Sequence, residues 1–333
     1  MRAPRFKNER FSTVFFGGGT PSLLSAAQLS RIWQKIRDNF QISPDAECSI
    51  ESNPGTLDAE KLAAFRETGF NRLSMGVQSF NAAELEFLGR IHSVEDVFEN
   101  FENARNAGFS NINIDLMTAF PGISRESFLH SLNEAASLKP AHIACYTLIF
   151  EPGTVFYKRM ERGELQPLQE EKEAEYYEMA AEILAEFGYR QYEVSNFARG
   201  KENVCRHNLI YWKHQPYAGF GPSAHSFHQN ARSANKRSLM AYLHAIDAGE
   251  LAVDFREELS PEQLMFEYIF LNLRLKDGLD LHEFRQRFGV DFLQHYHANI
   301  TRLSDDGVVE FDERAFRLSP KGWLLADAVA TYF

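Results

Sequence analysis

The chain has 333 residues, 44% hydrophobic and 24% charged, enough for one large folded domain and a smaller one. Its 46 acidic against 35 basic residues leave a net charge of −11, which weighs against a nucleic-acid partner. No apolar run is long enough to span a bilayer, the first residues lack a signal-peptide layout, and Cys48, Cys145 and Cys205 are too scattered for disulfides or a zinc site, so the expected setting is a reducing cytoplasm.

Residues 13–16 read as a buried strand that stops at Gly17-Gly18-Gly19 and gives way to Thr20-Pro21-Ser22. Glycines at a strand's carboxyl end let a ligand approach bare backbone. Pro21 suits a first helical turn, and Thr20 or Ser22 can cap it, leaving N–H groups for something polar or anionic. A strand at 48–51 follows, and then a unit recurs. Amphipathic helices at 58–67, 95–106 and 170–186 each end in a glycine (Gly69, Gly108, Gly188), then an aromatic (Phe70, Phe109, Tyr189), then a strand. A further strand is expected at 141–150. Strands alternating with helices at this spacing predict a parallel sheet with right-handed crossovers, a barrel or part of one, with ligands at the strands' carboxyl ends. Polar residues gather there: Glu51-Ser52-Asn53, Gln78-Ser79, Asp115 and Glu151. One such residue is ordinarily a helix cap; four beside a glycine loop predict a cofactor pocket.

In order along the chain, GGGTPS, ESNPGT, RLSMGVQSF, LGRIHS and NIDLMTAFPG resemble the oxygen-independent coproporphyrinogen III oxidase-like branch of the radical SAM superfamily. CRHNLIYW and YAGFGPSAHSF are similar to its heme chaperone subgroup, HemW. The resemblance spans nearly the whole chain. It implies an α/β fold: a partial (β/α) TIM-like barrel missing its first strand unit, and a small C-terminal helical, winged-helix-like domain. The domains would be 1–155, the barrel core; 156–258, the barrel-closing and heme-motif region; and 259–333.

The resemblance implies that Gly18, Gly19 and Thr20 line the methionine end of S-adenosylmethionine, and that Glu51, Gln78, Arg90 and Asp115 are its other contacts. That chemistry is sound: carboxylates accept from ribose hydroxyls or an ammonium, and a guanidinium grips a carboxylate. His207 in CRHNLIYW is the candidate heme ligand, with Cys205 ranked below it. His225 suits loop stabilisation better than ligation, and His214 and His228 receive no role. No catalytic or metal-ligating residue is assigned.

One departure stands out. A radical SAM protein holds a 4Fe–4S cluster with CxxxCxxC, and the sequence has no such motif. The chain is expected to be either a piece of a longer protein or a version that has lost the cluster; retention of Glu51, Gln78, Arg90 and Asp115 favours the first. The barrel should also begin with an edge strand, which is destabilising.

From about Leu259 the pattern becomes helices at 261–273, 281–288 and 290–303, a hairpin in VVEFDERAFRLS, and a closing helix at 321–332. This segment is acidic overall, so it reads as a packing or docking module rather than a DNA reader. The leading expectation is a heme chaperone that binds heme and S-adenosylmethionine and passes heme to an acceptor, a membrane hemoprotein among the candidates. The alternative is an oxygen-independent coproporphyrinogen III oxidase. A phosphate-binding barrel enzyme ranks last, because the strand ends offer carboxylates and amides but no Lys or His base.

Overall fold

The computed structural model describes residues 3–333. It divides into two compact units, one of Arg10–Val204 and one of Cys205–Phe333 with the segment up to Glu9.

In the first unit, β1 (Arg10–Phe16), α1 (Ala26–Asn39), β2 (Gln41–Ser52), α2 (Ala59–Thr68), β3 (Arg72–Gln78), α3 (Ala82–Phe87), α4 (Val94–Asn106), β4 (Asn111–Ala119), α5 (Arg125–Ser137) and β5 (His142–Thr147) follow one another. Then come α6 (Val155–Glu161), α7 (Glu170–Glu186), β6 (Arg190–Gln191) and β7 (Asn196–Ala198). The sheet order is β1-β2-β3-β4-β5-β7-β6, parallel from β1 to β5 as expected.

The far edge differs from expectation. The segment after Tyr189 is no sixth parallel strand but a short hairpin, with β7 antiparallel to both β5 and β6. Only Tyr192–Ser195 separate β6 from β7, too few residues for a parallel crossover, so these two strands pair as an antiparallel hairpin.

The helix-ending glycines behave as read. Gly69 takes φ 119° and donates back to Phe65 and Arg66, a backbone state that costs other residues about 1 kcal/mol or more. The aromatics behind the glycines are almost fully buried: Phe70 at 1% exposure, Phe109 at 2%, Tyr189 at 1%. The Tyr189 hydroxyl is satisfied by the Pro140 carbonyl at 2.8 Å. Each buried ring contributes roughly 1.5–3 kcal/mol.

Strand alternation then separates the two faces of the sheet. Ile50, Leu73, Met75, Val77, Ile112, Ile114, Leu116 and Ile143 pack in one core with Leu62, Phe65, Val97, Phe101, Phe128, Leu132 and Leu184 of the helices. The opposite face carries Ser49 and Glu51, Arg72 and Ser74, Asn111, Asn113 and Asp115, and His142. Register aligns Glu51 with Ser74, Ser74 with Asn113 and Asn113 with His142. A curled sheet greasy on its helix side and polar on the other is a half-barrel with a polar inner face.

The glycine turn is shorter than predicted. Pro21–Leu23 is a single 3₁₀ turn, and Thr20 makes no capping bond. The long helix starts only at Ala26, where Ser25 and Gln28 form a reciprocal capping box that Thr20 and Ser22 cannot match. Cys48 and Cys145 sit on β2 and β5 as expected, Cys48 buried and Cys145 half-buried.

The second unit runs α8 (Arg206–Trp212), β8 (His225–His228), β9 (Ala231–Asn235), α9 (Leu239–Asp247) and β10 (Val253–Glu258), the strands in antiparallel order β10-β9-β8. It continues through α10 (Pro261–Asn272), β11 (Leu279–Asp280), α11 (Leu281–Phe288), α12 (Phe292–His295), α13 (His297–Asp305), β12 (Val309–Phe311), β13 (Ala315–Leu318), α14 (Pro320–Trp323) and α15 (Ala326–Ala330). The hairpin forms as expected, with β11 added to it in the order β11-β13-β12. Two helices read as continuous are broken, at Tyr296 (φ −102°, ψ 21°) and Leu325 (φ −117°, ψ 18°). Both residues lie off helical geometry and reset the axis so that Phe292, Ile300 and Val329 can all be buried.

Candidate cofactor site

The three glycines differ in why they are needed. A Cβ on Gly17 would lie 2.5 Å from the Phe15 ring and 2.9 Å from the Glu51 carboxylate. Gly18 takes φ +104°, while Gly19 is constrained by neither space nor backbone. The Gly18 N–H donates to Glu51 Oε2 at 3.0 Å, so this donor, expected to face a ligand, is used inside the protein. Burial raises the Glu51 carboxyl above its ordinary range, and the Gly18 N–H partly offsets that. Thr20 is tied to the same strand end, its hydroxyl accepting from Asn53 Nδ2 at 3.2 Å.

Gln78 ends β3 at φ 72°, buried, where the register with β4 slips. A left-handed conformation in a residue other than glycine costs about 1 kcal/mol or more and is held by its surroundings. Gly76 supplies the room: a Cβ there would meet Asn53 Oδ1 at 2.8 Å and Gln78 Nε2 at 3.0 Å. Arg90 follows the left-handed Gly89, its N–H closing on the Leu85 carbonyl at 2.8 Å. Its buried Nε has no partner among the described residues. Burial lowers its pKa, while attraction to Asp115 opposes the change.

Asp115 is half-buried, and its carboxyl is raised to about 6, first by burial and also by repulsion from Glu51. Asn113 donates to its Oδ1 at 2.7 Å and Ser74 to its Oδ2 at 3.3 Å. The two carboxylates and the guanidinium thus feel one another on one face of the sheet. Among the predicted residues, Gly18, Thr20, Glu51, Gln78, Arg90 and Asp115 converge on the carboxyl ends of β1 to β4. Sequence reasoning missed Ser74, Asn113, His142 and Tyr192, although R-L-S-M-G and N-I-N-I-D carry period-two alternation that points them to the polar face.

His207 belongs to the other unit, on the two-turn α8. Its Nε2 shares a hydrogen bond with the Tyr211 hydroxyl at 2.9 Å, one helical turn on. The Tyr211 ring stands edge-on to Tyr217 at 4.7 Å. Trp212 Nε1, buried in the same helix, has no partner among the described residues. Cys205 is buried at the start of α8. His214 and His228 are structural. His214 stacks on Phe227 and lies between Glu267 and Arg287, while His228 faces Phe6 and Glu9. His225 is exposed on β8.

Comparison with known proteins decides the family. Residues 1–135 match the Radical SAM superfamily and residues 259–325 the HemN C-terminal domain. Heme chaperone HemW of Bacillus subtilis (strain 168) is 39% identical over 95% of this chain and 84% of its own length. The chain belongs to the HemW family. HemW of Lactococcus lactis is 36% identical over 98% of the chain and 86% of its own length. Coproporphyrinogen III oxidase (HemN) from Escherichia coli, described as a radical SAM enzyme, superposes with TM-score 0.86 at 28% identity, covering 99% of this chain and 79% of that one.

For a HemW-family chain, the radical SAM match implies S-adenosylmethionine and a 4Fe–4S cluster. The polar face suits the first: an unpartnered buried guanidinium nitrogen for a carboxylate, and two carboxylates for an ammonium and hydroxyls. The cysteines do not suit the second. They lie on β2, on β5 and before α8, and no group of three His, Cys, Asp or Glu capable of holding a metal occurs among the described residues. No described helix is long and apolar enough to cross a membrane.

Proposed function

We propose that the chain is a cytoplasmic heme chaperone, taking heme as cargo through the α8 segment and passing it to an acceptor protein, a membrane hemoprotein among the candidates. The observation that carries this reading is the likeness to HemW proteins over nearly the full chain. S-adenosylmethionine belongs at the carboxyl ends of β1 to β4. Gly18, Gly19 and Thr20 would border its methionine end, Arg90 and Gln78 its polar groups, and Glu51 and Asp115 its hydroxyls or ammonium. That molecule supplies, in this superfamily, the source of a radical; the residues here supply binding and orientation.

His207 is the proposed axial ligand. Its Nε2 shares a hydrogen bond with the Tyr211 hydroxyl, so ligation through that nitrogen exchanges this bond for iron. Hemin titration followed at the Soret band tests the reading. A shift that His207→Ala abolishes is expected; no shift, or one that this substitution leaves intact, refutes it. The structural likeness to coproporphyrinogen III oxidase supports a second reading, an oxidative decarboxylase of porphyrinogen propionates. Conversion of coproporphyrinogen by the full-length protein under anaerobic reduction would favour that reading over the chaperone.

A further inference from the structure

Behind Asp115 the polar face holds a run of side chains that the proposed function leaves unused. Asn113 Nδ2 lies 2.7 Å from Asp115 Oδ1 and 2.7 Å from Ser74 Oγ. Asn113 Oδ1 lies 2.5 Å from His142 Nδ1, and His142 Nε2 lies 2.8 Å from the Tyr192 hydroxyl. His142 is 1% exposed and Asn113 2%.

These contacts have one consistent proton assignment. The amide nitrogen of Asn113 can only donate, so its oxygen must accept, and His142 carries its proton on Nδ1. Burial holds His142 neutral, with a pKa well below the usual histidine range, and the positive charge of Arg72 adds to that. Its Nε2 is therefore an acceptor, filled by the Tyr192 hydroxyl. Ser74, which receives from Asn113, donates onward to Asp115 Oδ2 at 3.3 Å. Every hydrogen bond runs toward Asp115. The strands supply the spacing: Asn113 pairs in register with Ser74 on one side and His142 on the other. The β6–β7 turn brings in Tyr192.

We propose that Asn113 and His142 are positioning residues for Asp115: a one-way chain of hydrogen bonds, starting at Tyr192, fixes the carboxylate so that its unused lone pairs face a ligand's hydroxyl or ammonium group. This rests on the reading that Asp115 contacts S-adenosylmethionine. Each carboxylate oxygen accepts one internal bond and keeps capacity for another. A half-buried carboxylate without such donors would either turn or stay protonated, and a protonated carboxyl loses acceptor capacity.

The charged and titratable groups coupled to Asp115 are Glu51 from β2, Arg72 from β3, Arg90 from the segment after α3 and Cys145 from β5, while the neutral His142 of β5 reaches it only through Asn113. Glu51 and Asp115 repel, so their titrations are linked and Glu51→Gln is the control for that coupling.

The test measures S-adenosylmethionine binding to the full chain by calorimetry from pH 5 to 8, with circular dichroism to verify folding. Asn113→Leu and His142→Leu are each expected to weaken binding about tenfold, the loss typical of one hydrogen bond to a charged group. Both should also move the pH midpoint of binding upward, because a carboxylate that loses a donor holds its proton more tightly. The double variant should lose little more than either single one, since the bonds act in series. His142→Asn, whose amide nitrogen can take the place of Nδ1, should recover most of the affinity and the midpoint. A purely structural role predicts neither the rescue nor the midpoint shift. Tyr192→Phe, which removes only the first donor, should shift the midpoint in the same direction by less and serves if the leucine variants misfold.

Affinity and midpoint unchanged in the Asn113 and His142 variants, alongside lost binding in Asp115→Asn, would overturn the relay and leave the cofactor reading standing. If Asp115→Asn has no effect, or if the chain binds no S-adenosylmethionine, the cofactor reading fails. The relay is then decided by the Asp115 side-chain carboxyl ¹³C titration, which must move upward in Asn113→Leu for the relay to survive.

Discussion

Glu193 makes the electrostatics of the β6–β7 turn measurable. It is fully buried in the turn between β6 and β7, and among the described residues no cation pairs with it. Its carboxylate accepts from the Ser195 N–H at 3.0 Å and from the Asn196 side chain. Burial nonetheless raises its carboxyl from 4.5 to about 7. Because the folded pKa is the higher one, the native state binds more protons than the unfolded chain between pH 4.5 and 7. Stability attributable to this group therefore falls as pH rises through that window. At roughly 1.4 kcal/mol per pH unit of displacement, the loss approaches about 3 kcal/mol above pH 7.

Glu193→Gln removes the titration. The amide cannot satisfy both neighbouring donors, so the variant carries a penalty of about 1–2 kcal/mol at every pH. That offset is constant, and the informative quantity is the difference between variant and parent as a function of pH. Urea denaturation at pH 5 and at pH 8 should show the variant gaining roughly 2–3 kcal/mol on the parent between those values. Parallel stability curves would refute the assignment of a buried, proton-binding carboxyl to this turn.

Other substitutions probe the remaining links. Gly17→Ala forces the Glu51 carboxylate off the Gly18 N–H. Because a flexible side chain can retreat, the stability loss should stay near 1–2 kcal/mol, while S-adenosylmethionine affinity should fall at least tenfold, read by calorimetry. At Gly322 the added Cβ would strike the Val308 backbone carbonyl, which cannot retreat. Gly322→Ala should thus cost 3 kcal/mol or more in urea denaturation, by order of magnitude for overpacking against a rigid neighbour. His214 is pushed down to about 4 by burial and by Arg287, so its Nε2–H donates to Glu267 while Nδ1 accepts from Arg287, and the ring is neutral at pH 7. Its folded pKa is depressed, so the unfolded chain binds the extra proton, and stability falls as pH drops from 6.5 toward 4. His214→Gln should flatten that acid limb, and an unchanged limb would show that His214 does not drive it.

Local pattern carried much of this protein. Helix caps, glycine stops and apolar runs depend on a few neighbouring residues, so β1 to β5 and the helices α2 and α4 were readable in order. So was the gathering of Glu51, Gln78 and Asp115, because parallel strands all present their carboxyl ends at one edge; Arg90, on the segment after α3, came only from the family resemblance. Three features needed the tertiary structure. The first is the reversal at β6–β7, because the text YEVSNF fits either strand direction and only the space beside β5 chooses. The second is the use of the Gly18 N–H by Glu51, residues 33 apart that meet through strand pairing. The third is the Tyr192–His142–Asn113–Asp115 run, a chain of four residues from β4, β5 and a turn. A single sequence shows each as an isolated polar residue on a strand; register and hydrogen-bond direction, which exist only between strands, make them one device.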